Sequence, residues 1–196
     1  MKKTAVILAA LVTTVSAAAA QEANRDDILA SYIRRSHAAL TKNLAAVVET
    51  MPEGDFGFRP AGAIEEVRTF GEIVVHMLTA TSFICAMGDG KPDSTAWGAR
   101  GLSLDKARLI ALVAETTTRC TSYFATLSDG ALTQVITAGS GSRALQSTRG
   151  TAAIFAIVHA NEHYGNLVTY LRAKGLVPPA AAAQASFLSP VASRMP

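Results

Sequence analysis

Two histidines stand four residues apart in the segment HANEHYGNLVTYLR, which runs from His159 to Arg172. In an α-helix, residues with this spacing lie about 40° apart around the axis and one turn from each other, so both imidazoles can reach one ion. Zinc and similar divalent metals usually take three or more protein ligands. The pair of His159 and His163 therefore predicts a metal site if another element supplies a third ligand.

His76 is the natural third ligand, because it lies on the inward apolar stripe of a separate predicted helix, where an unpaired imidazole would be costly to bury. The alternative is that His159 and His163 are ordinary helix residues bonded to neighbours or to water. The remaining histidine, His37, lies near the apolar stripe of the first predicted helix. We interpret it as a histidine of the core or its boundary and keep it as a reserve ligand.

Glu162 completes the pattern H-x-x-E-H, which in one class of metalloproteases supplies two metal ligands and a general base. That motif needs a further carboxylate ligand well downstream, and no acidic residue follows Glu162. Proteolysis is therefore disfavoured, and Glu162 is predicted to lie at the surface or behind the ligands. Asn166 and Tyr170, one and two turns beyond the histidines, are predicted to support them.

Four amphipathic segments must position these side chains. Apolar spacing and breaker residues predict helices at about 24–50, 69–87, 103–128 and 150–174. Thr69 and Glu72 have the spacing of a capping box at the start of the second helix, and Gly175 suits the end of the fourth. Asn24 and Ser103 are the predicted caps of the first and third helices. With no convincing strand signal, these segments predict an all-α four-helix bundle.

The N-terminus, MKKTAVILAALVTTVSAAAA, has the three regions of a secretory signal peptide: two lysines, an apolar run and small residues before Gln21. A membrane anchor is the disfavoured alternative, because it needs roughly 20 unbroken apolar residues. Residues 1–20 are thus predicted to be removed, 21–179 to form one bundle and 180–196 to be a flexible Pro- and Ala-rich tail. No later segment is expected to span a bilayer, which predicts a soluble periplasmic or secreted protein.

The charge balance argues against one class of partner. The chain has 18 basic and 15 acidic residues, a net charge of +3, and loss of Lys2 and Lys3 with the signal would lower it to +1. The sequence shows neither a basic stripe nor a nucleic-acid-binding module, so nucleic acid is not an expected partner.

Three blocks, VETMPEGDFGFRP, VRTFGEIVVHM and HANEHYGNLVTYLRAKGLVPP, carry a resemblance that extends from about Asn24 to Pro179. They resemble the DinB-like (DinB/YfiT) four-helix-bundle proteins, here in a secreted bacterial branch. The resemblance implies an up-down-down-up topology and a divalent metal, Zn, Ni or Fe, held by one histidine of helix two and an H-x-x-x-H pair of helix four. His76, His159 and His163 fill those three positions.

Some proteins of this family are thiol S-transferases or isomerases in which the metal lowers the pKa of a small thiol. Because an exported protein is separated from cytoplasmic thiols, the resemblance implies no more than a metal-dependent transferase or hydrolase of unknown substrate. The alternative is a non-catalytic bundle that binds a ligand or partner. The expected partner is an unidentified small molecule, and a homodimer, common in the family, stays open.

The topology implied by the resemblance also predicts a disulfide. With helices two and three parallel, Cys85 lies 16 residues past Thr69 and Cys120 lies 17 past Ser103, at nearly the same height. In an antiparallel hairpin the two would be about 20 Å apart, too far for a bond. An oxidising compartment permits the bond, so we predict a Cys85–Cys120 disulfide, with two separate buried thiols as the alternative.

Overall fold

The computed structural model describes residues 27–91, 105–138 and 144–183. Its helices are α1 (Ile28–Thr50), α2 (Phe70–Gly88), α3 (Lys106–Ala125), the short α4 (Asp129–Leu132) and α5 (Arg149–Ala173), and its strands are β1 (Val135–Ala138) and β2 (Leu145–Thr148). A single 3-10 turn, Glu53–Asp55, follows α1. The four long helices are those predicted from the apolar spacing, and the all-α bundle is confirmed.

Two predicted helix ends are confirmed in detail. The Thr69 side chain accepts a hydrogen bond from the Glu72 backbone N–H, and the Glu72 carboxylate accepts one from the Thr69 N–H at 2.7 Å. This capping box fixes the first residue of α2, the helix that carries His76. At the other end of the sequence, α5 stops before Gly175, whose φ of +73° is the left-handed conformation that favours glycine.

The start of α1 differs from the prediction. The helix begins at Ile28 rather than near Asn24, which lies outside the described residues. Its first N–H groups are satisfied by a distant residue, since the Asp129 carboxylate accepts hydrogen bonds from Leu29 and Ala30, the latter at 2.7 Å. The Asp27 carboxylate in turn accepts from the Asp129 N–H. A cap supplied from about 100 residues away leaves no local signal in the sequence.

The predicted bounds of the third helix were also wrong. Asp105, not Ser103, is the N-cap residue of α3, and its carboxylate accepts from the Arg108 N–H at 2.8 Å. Ser103 lies outside the described residues. The helix ends at Ala125 rather than near residue 128, because the Ser128 hydroxyl caps the separate short helix α4.

The connection before α5 is more ordered than the sequence suggested. Strands β1 and β2 pair antiparallel, with Val135 opposite Thr148 and Ile136 opposite Ser147. Each strand has only four residues, too few to show the alternation that identifies a strand by pattern alone. The prediction of no strand was therefore wrong. The hairpin leads directly into α5, whose N-cap is Thr148.

The direction of each helix follows from contacts between the helices. Helices α2 and α3 run parallel, since the Thr116 hydroxyl donates to the Leu78 carbonyl and the Cys85–Cys120 pair follows further along both. Helix α1 is antiparallel to α3, because the Lys106 ammonium donates to the Glu49 carbonyl near the end of α1. Helix α5 is antiparallel to α2. The topology is therefore up-down-down-up.

The predicted disulfide is confirmed. Cys85 and Cys120 are bonded, with Cα atoms 5.3 Å apart, and both side chains are buried. The alternative of two separate thiols is wrong. The bond joins α2 to α3 inside a core cluster that includes Ile33, Tyr123 and Phe124. A larger cluster, with Met51, Phe56 and Phe70 among its members, fills the opposite end of the bundle.

Helix α2 is long and apolar. By length and composition it could cross a membrane, and it is the one such helix in the part of the chain that the structure describes. The expectation that no segment after residue 20 would pass this test was too strict. However, 61% of its apolar stretch is buried inside the bundle, as in the core helix of a soluble protein. The predicted signal peptide (1–20) and residues 184–196 of the predicted tail lie outside the described ranges, so both stay predictions. Residues 180–183, at the start of that predicted tail, are helical.

Candidate metal centre

His76, His159 and His163 converge between α2 and α5. One ring nitrogen from each lies within 4.8 Å of the others. The ring centroids are 4.6 to 5.4 Å apart, and the rings meet nearly edge to face. Within residues 27–91, 105–138 and 144–183, this is the one group of three or more histidine, cysteine or acidic side chains close enough to share an ion.

The helices place these rings for simple reasons. His159 and His163 are one turn apart on α5, as their spacing predicts. The capping box starts α2 at a fixed residue, so that His76 meets them where the antiparallel helices cross. The buried positions of α5 include four alanines and a glycine, and such small side chains let a helix approach its neighbours closely: Gly150, Ala152, Ala153, Ala156 and Ala160.

The three imidazoles suit a divalent metal. The Nδ1 atoms of His159 and His163 are buried and have no hydrogen-bond partner. Leaving such an atom unpaired costs about 1–3 kcal/mol. A metal ion between the rings would engage lone pairs of this group. Three neutral imidazoles are also a donor set that binds zinc while leaving a position open for another ligand.

The protonation states fit the same conclusion. Burial lowers the pKa of His76, with smaller contributions from the positive charges of Arg68 and His159. Burial lowers the pKa of His159 as well, although the Glu162 carboxylate opposes this effect. The pKa of His163 falls to about 4, chiefly through burial and then through His159 and His76. A lowered pKa favours the neutral form of each ring, which is the form that binds a metal.

An open cavity of about 520 Å³ borders the histidine group at His163. His163, Asn166 and Tyr170 line it on the α5 side, and the segment between α1 and α2 forms the other side. Its size is in the range of small-molecule sites. A ligand in this cavity would therefore lie next to His163, whose ring centroid is 4.9 Å from that of His76 and 4.6 Å from that of His159.

The other predicted residues have different positions. Asn166 and Tyr170 reach the cavity, and the Tyr170 hydroxyl donates to the Arg68 carbonyl at 2.7 Å rather than to a histidine. Glu162 is exposed and is not in the ligand group, as predicted for a surface residue. Phe155, one turn before His159 on α5, is half exposed, and its ring centroid lies 6.0 Å from that of His159.

His37 is a core histidine. It is 7% exposed, stacks on Phe124 with the ring centroids 4.1 Å apart, and its Nε2 atom lies 3.4 Å from the Thr41 hydroxyl. It is not part of the three-histidine group. The interpretation as a core residue is confirmed, and the structure gives no support for its use as a reserve ligand.

His37 should make stability depend on pH. Burial lowers its pKa from 6.5 to about 4. The folded protein then binds this proton more weakly than the unfolded chain does. The contribution of neutral His37 to the free energy of unfolding is therefore fully present above pH 6.5 and is lost as the pH falls towards 4. We expect a loss of roughly 2–3 kcal/mol from this group between pH 7 and pH 4.5. Denaturant unfolding at both pH values, with chelator present, measures it.

His37→Phe is the matched variant, because it keeps a ring on Phe124 but cannot take up a proton. Its loss of stability between the two pH values should be smaller than that of the wild-type chain by the same amount. Equal losses in the two proteins would show that His37 does not contribute.

Arg68 is a residue of the site that the sequence analysis missed. It lines the cavity together with His163, and its charge lowers the pKa of both His76 and His163. The available signal was its position directly before the Thr69 cap, which places it at the end of α2 nearest the cavity. Charge alone could not distinguish it from the other arginines of the chain.

Comparisons with known proteins agree with the fold. A model of the DinB superfamily matches residues 37–167. A DinB-like protein from Bacillus cereus is similar in structure, with a TM-score of 0.63 and 15% identity over 79% of this chain and 97% of that one. A DinB-like protein from Bacillus subtilis has a TM-score of 0.56 and 19% identity over 74% and 92% of the two chains. None of the curated proteins compared with the chain matches it.

Proposed function

Since the chain belongs to the DinB superfamily, we propose that it holds one divalent metal ion at His76, His159 and His163 and acts on a small molecule in the adjoining cavity. The observation that carries this proposal is the convergence of three ring nitrogens within 4.8 Å from two helices. Two of the rings contain buried nitrogen atoms without partners, which supports it further. Zinc, nickel and iron all accept imidazole ligands.

The reaction class we propose is a metal-dependent transfer or hydrolysis. A bound ion of this kind acts as a Lewis acid and lowers the pKa of water or of a thiol. The chain's own residues hold and shape the site: three neutral imidazoles supply the ligands, and Tyr170 ties the cavity wall to α5 through its bond to the Arg68 carbonyl. Asn166 presents an amide to the cavity that can orient a ligand.

We propose further that the protein is exported. The signal-type N-terminus motivates this, and the Cys85–Cys120 disulfide supports it because such bonds are rare in the cytosol. N-terminal sequencing of the protein recovered from a bacterial periplasm should begin at Gln21. An intact N-terminus on protein found only in the cytoplasm would oppose the proposal.

Chelation tests the metal part directly. Apoprotein titrated with Zn²⁺ or Ni²⁺ should take up one ion per chain, as measured by elemental analysis after gel filtration. Because an ion that binds only the folded state stabilises it, free metal at 1,000 times Kd should add about 4 kcal/mol and raise the melting temperature. Chelator should reverse this rise.

The same preparations distinguish a catalyst from a binding module. Thiol-transfer and ester-hydrolysis assays that respond to chelator would support the proposed reaction class. If these assays stay silent while the ion still raises the melting temperature, the bundle is a non-catalytic metal-binding module. If no ion binds at one per chain, the proposed function is wrong.

A further inference from the structure

Arg68 is an exposed residue that lines the cavity. Within the three described segments its guanidinium forms neither an ion pair nor a hydrogen bond, and its backbone carbonyl accepts the bond from Tyr170. Other arginines of the bundle are paired: Arg59 with Glu72 and Arg108 with Glu115. A cation that lines a cavity and is not neutralised by the protein is available to a ligand.

The backbone of Arg68 is fixed relative to the histidines. Tyr170 is two turns beyond His163 on α5, is 5% exposed, and donates its hydroxyl proton to the Arg68 carbonyl. The next residue, Thr69, is held by the capping box of α2. Arg68 is thus anchored to both helices that carry the histidines, so its distance from them does not depend on a loose loop.

Arg68 and His163 line the same cavity. The first N–H groups of α2 do not compete as anion donors, because Phe70 and Gly71 donate theirs to the carbonyls of Phe58 and Phe56. Arg68 is therefore the positive donor of this wall.

We propose that Arg68 recognises a carboxylate of the ligand, so that the molecule bound in this cavity is a small organic acid whose other end faces His76, His159 and His163. This inference rests on the proposed function for the role of the histidines. A guanidinium pairs with a carboxylate through two parallel N–H···O bonds, which fix orientation as well as charge. Pro60, Ala61 and Val67 supply apolar wall for the rest of the molecule.

A single negative charge fits the cavity better than two. Arg68 is accompanied on the wall by an acidic residue, Glu66, which is exposed and not bonded to it. The guanidinium of Arg68 can pair with one negative group of the ligand, whereas the carboxylate of Glu66 would repel a second negative charge. This balance favours a carboxylate over a phosphate monoester.

Two probes of equal shape test the inference, 3-phenylpropanoate and its uncharged amide, 3-phenylpropanamide. Binding to the full chain is followed by calorimetry, in zinc-loaded and in chelator-treated protein. Wild-type protein should bind the acid at least about 10-fold more tightly than the amide, since hydrogen bonds between two charged groups are stronger than those to a neutral group. Arg68→Gln should abolish that preference, and Arg68→Lys should keep part of it.

Arg172→Gln is the matched control, because it removes the same charge from an exposed position on α5 that does not line the cavity. It should leave the preference unchanged. Arg68→Gln keeps the carbonyl that Tyr170 bonds, so its melting temperature and zinc content should equal those of the wild-type chain.

The outcomes separate this inference from the proposed function. A preference for the acid that depends on Arg68 in chelated protein supports the anion site even where zinc fails to bind. A preference that survives Arg68→Gln and needs zinc would assign recognition to the metal and overturn the inference. Tighter Arg68-dependent binding of phenyl phosphate than of 3-phenylpropanoate would overturn the choice of a carboxylate.

Discussion

Replacement of His163 by alanine is expected to lower the affinity for Zn²⁺ at least ~100-fold and to end one-to-one occupancy of the purified protein. Loss of a residue that only orients a metal ligand typically costs 10–100-fold, so loss of a ligand among three should reach at least the upper end of that range. Competition with a chromophoric chelator measures the affinity, and elemental analysis measures the occupancy. His76→Ala and His159→Ala should behave alike, since each removes one of three converging nitrogens.

Glu162→Gln is the control that separates ligand loss from a change of local charge. Glu162 is adjacent to His163 in sequence, but its side chain is exposed and outside the ligand group. Its substitution should change zinc affinity only a few-fold, through the weak field it exerts on His159 and His163. Retention of one tightly bound ion in the triple alanine variant would show that the metal sits elsewhere or is adventitious.

Unfolding of the variant must also be excluded as the cause of weaker zinc binding. Metal-free His163→Ala should melt within a few degrees of the metal-free wild-type protein, because it removes a ring whose Nδ1 atom is buried without a partner. A much lower melting temperature would mean that lost binding reports lost structure.

The histidine group could be predicted from the sequence because each part of it has a local signal. The spacing of His159 and His163 is meaningful only in a helix, and the apolar spacing around it indicated one. The apolar stripe that carries His76 begins at a capping box, which can be identified from four residues of sequence. The resemblance to a known family then supplied the topology, which no local pattern contains.

What the sequence could not show depends on contacts between distant residues. The carboxylate of Asp129 caps α1 across about 100 residues, so the start of that helix was placed too early. The β1–β2 pairing has four residues a side and depends on register rather than composition. The position of Arg68 at the site becomes apparent only in the structure, where Tyr170 bonds its carbonyl and His163 lines the same cavity.

Removal of the Cys85–Cys120 bond should destabilise the bundle by about 4 kcal/mol, the loop-closure entropy expected for a loop of roughly 35 residues. The sequence separation of the two cysteines is 35, and both are buried in the core. In a protein of this size that loss corresponds to a melting temperature lower by about 8–16 °C. Chemical unfolding of wild-type protein and of the Cys85→Ala, Cys120→Ala double variant measures it.

Reduction of the wild-type protein is the matched control for the double variant. Reduced protein keeps both sulfur atoms, so it should share most of the stability loss, and the variant should add only the smaller cost of two truncated side chains. Equal stability of oxidised and reduced protein would contradict the prediction.

The same variant tests whether the disulfide and the metal site are independent. Cys85 is nine residues beyond His76, about 14 Å along α2, and the bond joins α2 to α3, whereas the other two histidines are on α5. The α2–α5 contact therefore does not pass through the disulfide. Well below its lowered melting temperature, the double variant should still bind one zinc ion per chain with an affinity within a few-fold of wild type. A large loss of affinity in folded protein would instead show that the α2–α3 bond is what holds His76 in register with His159 and His163.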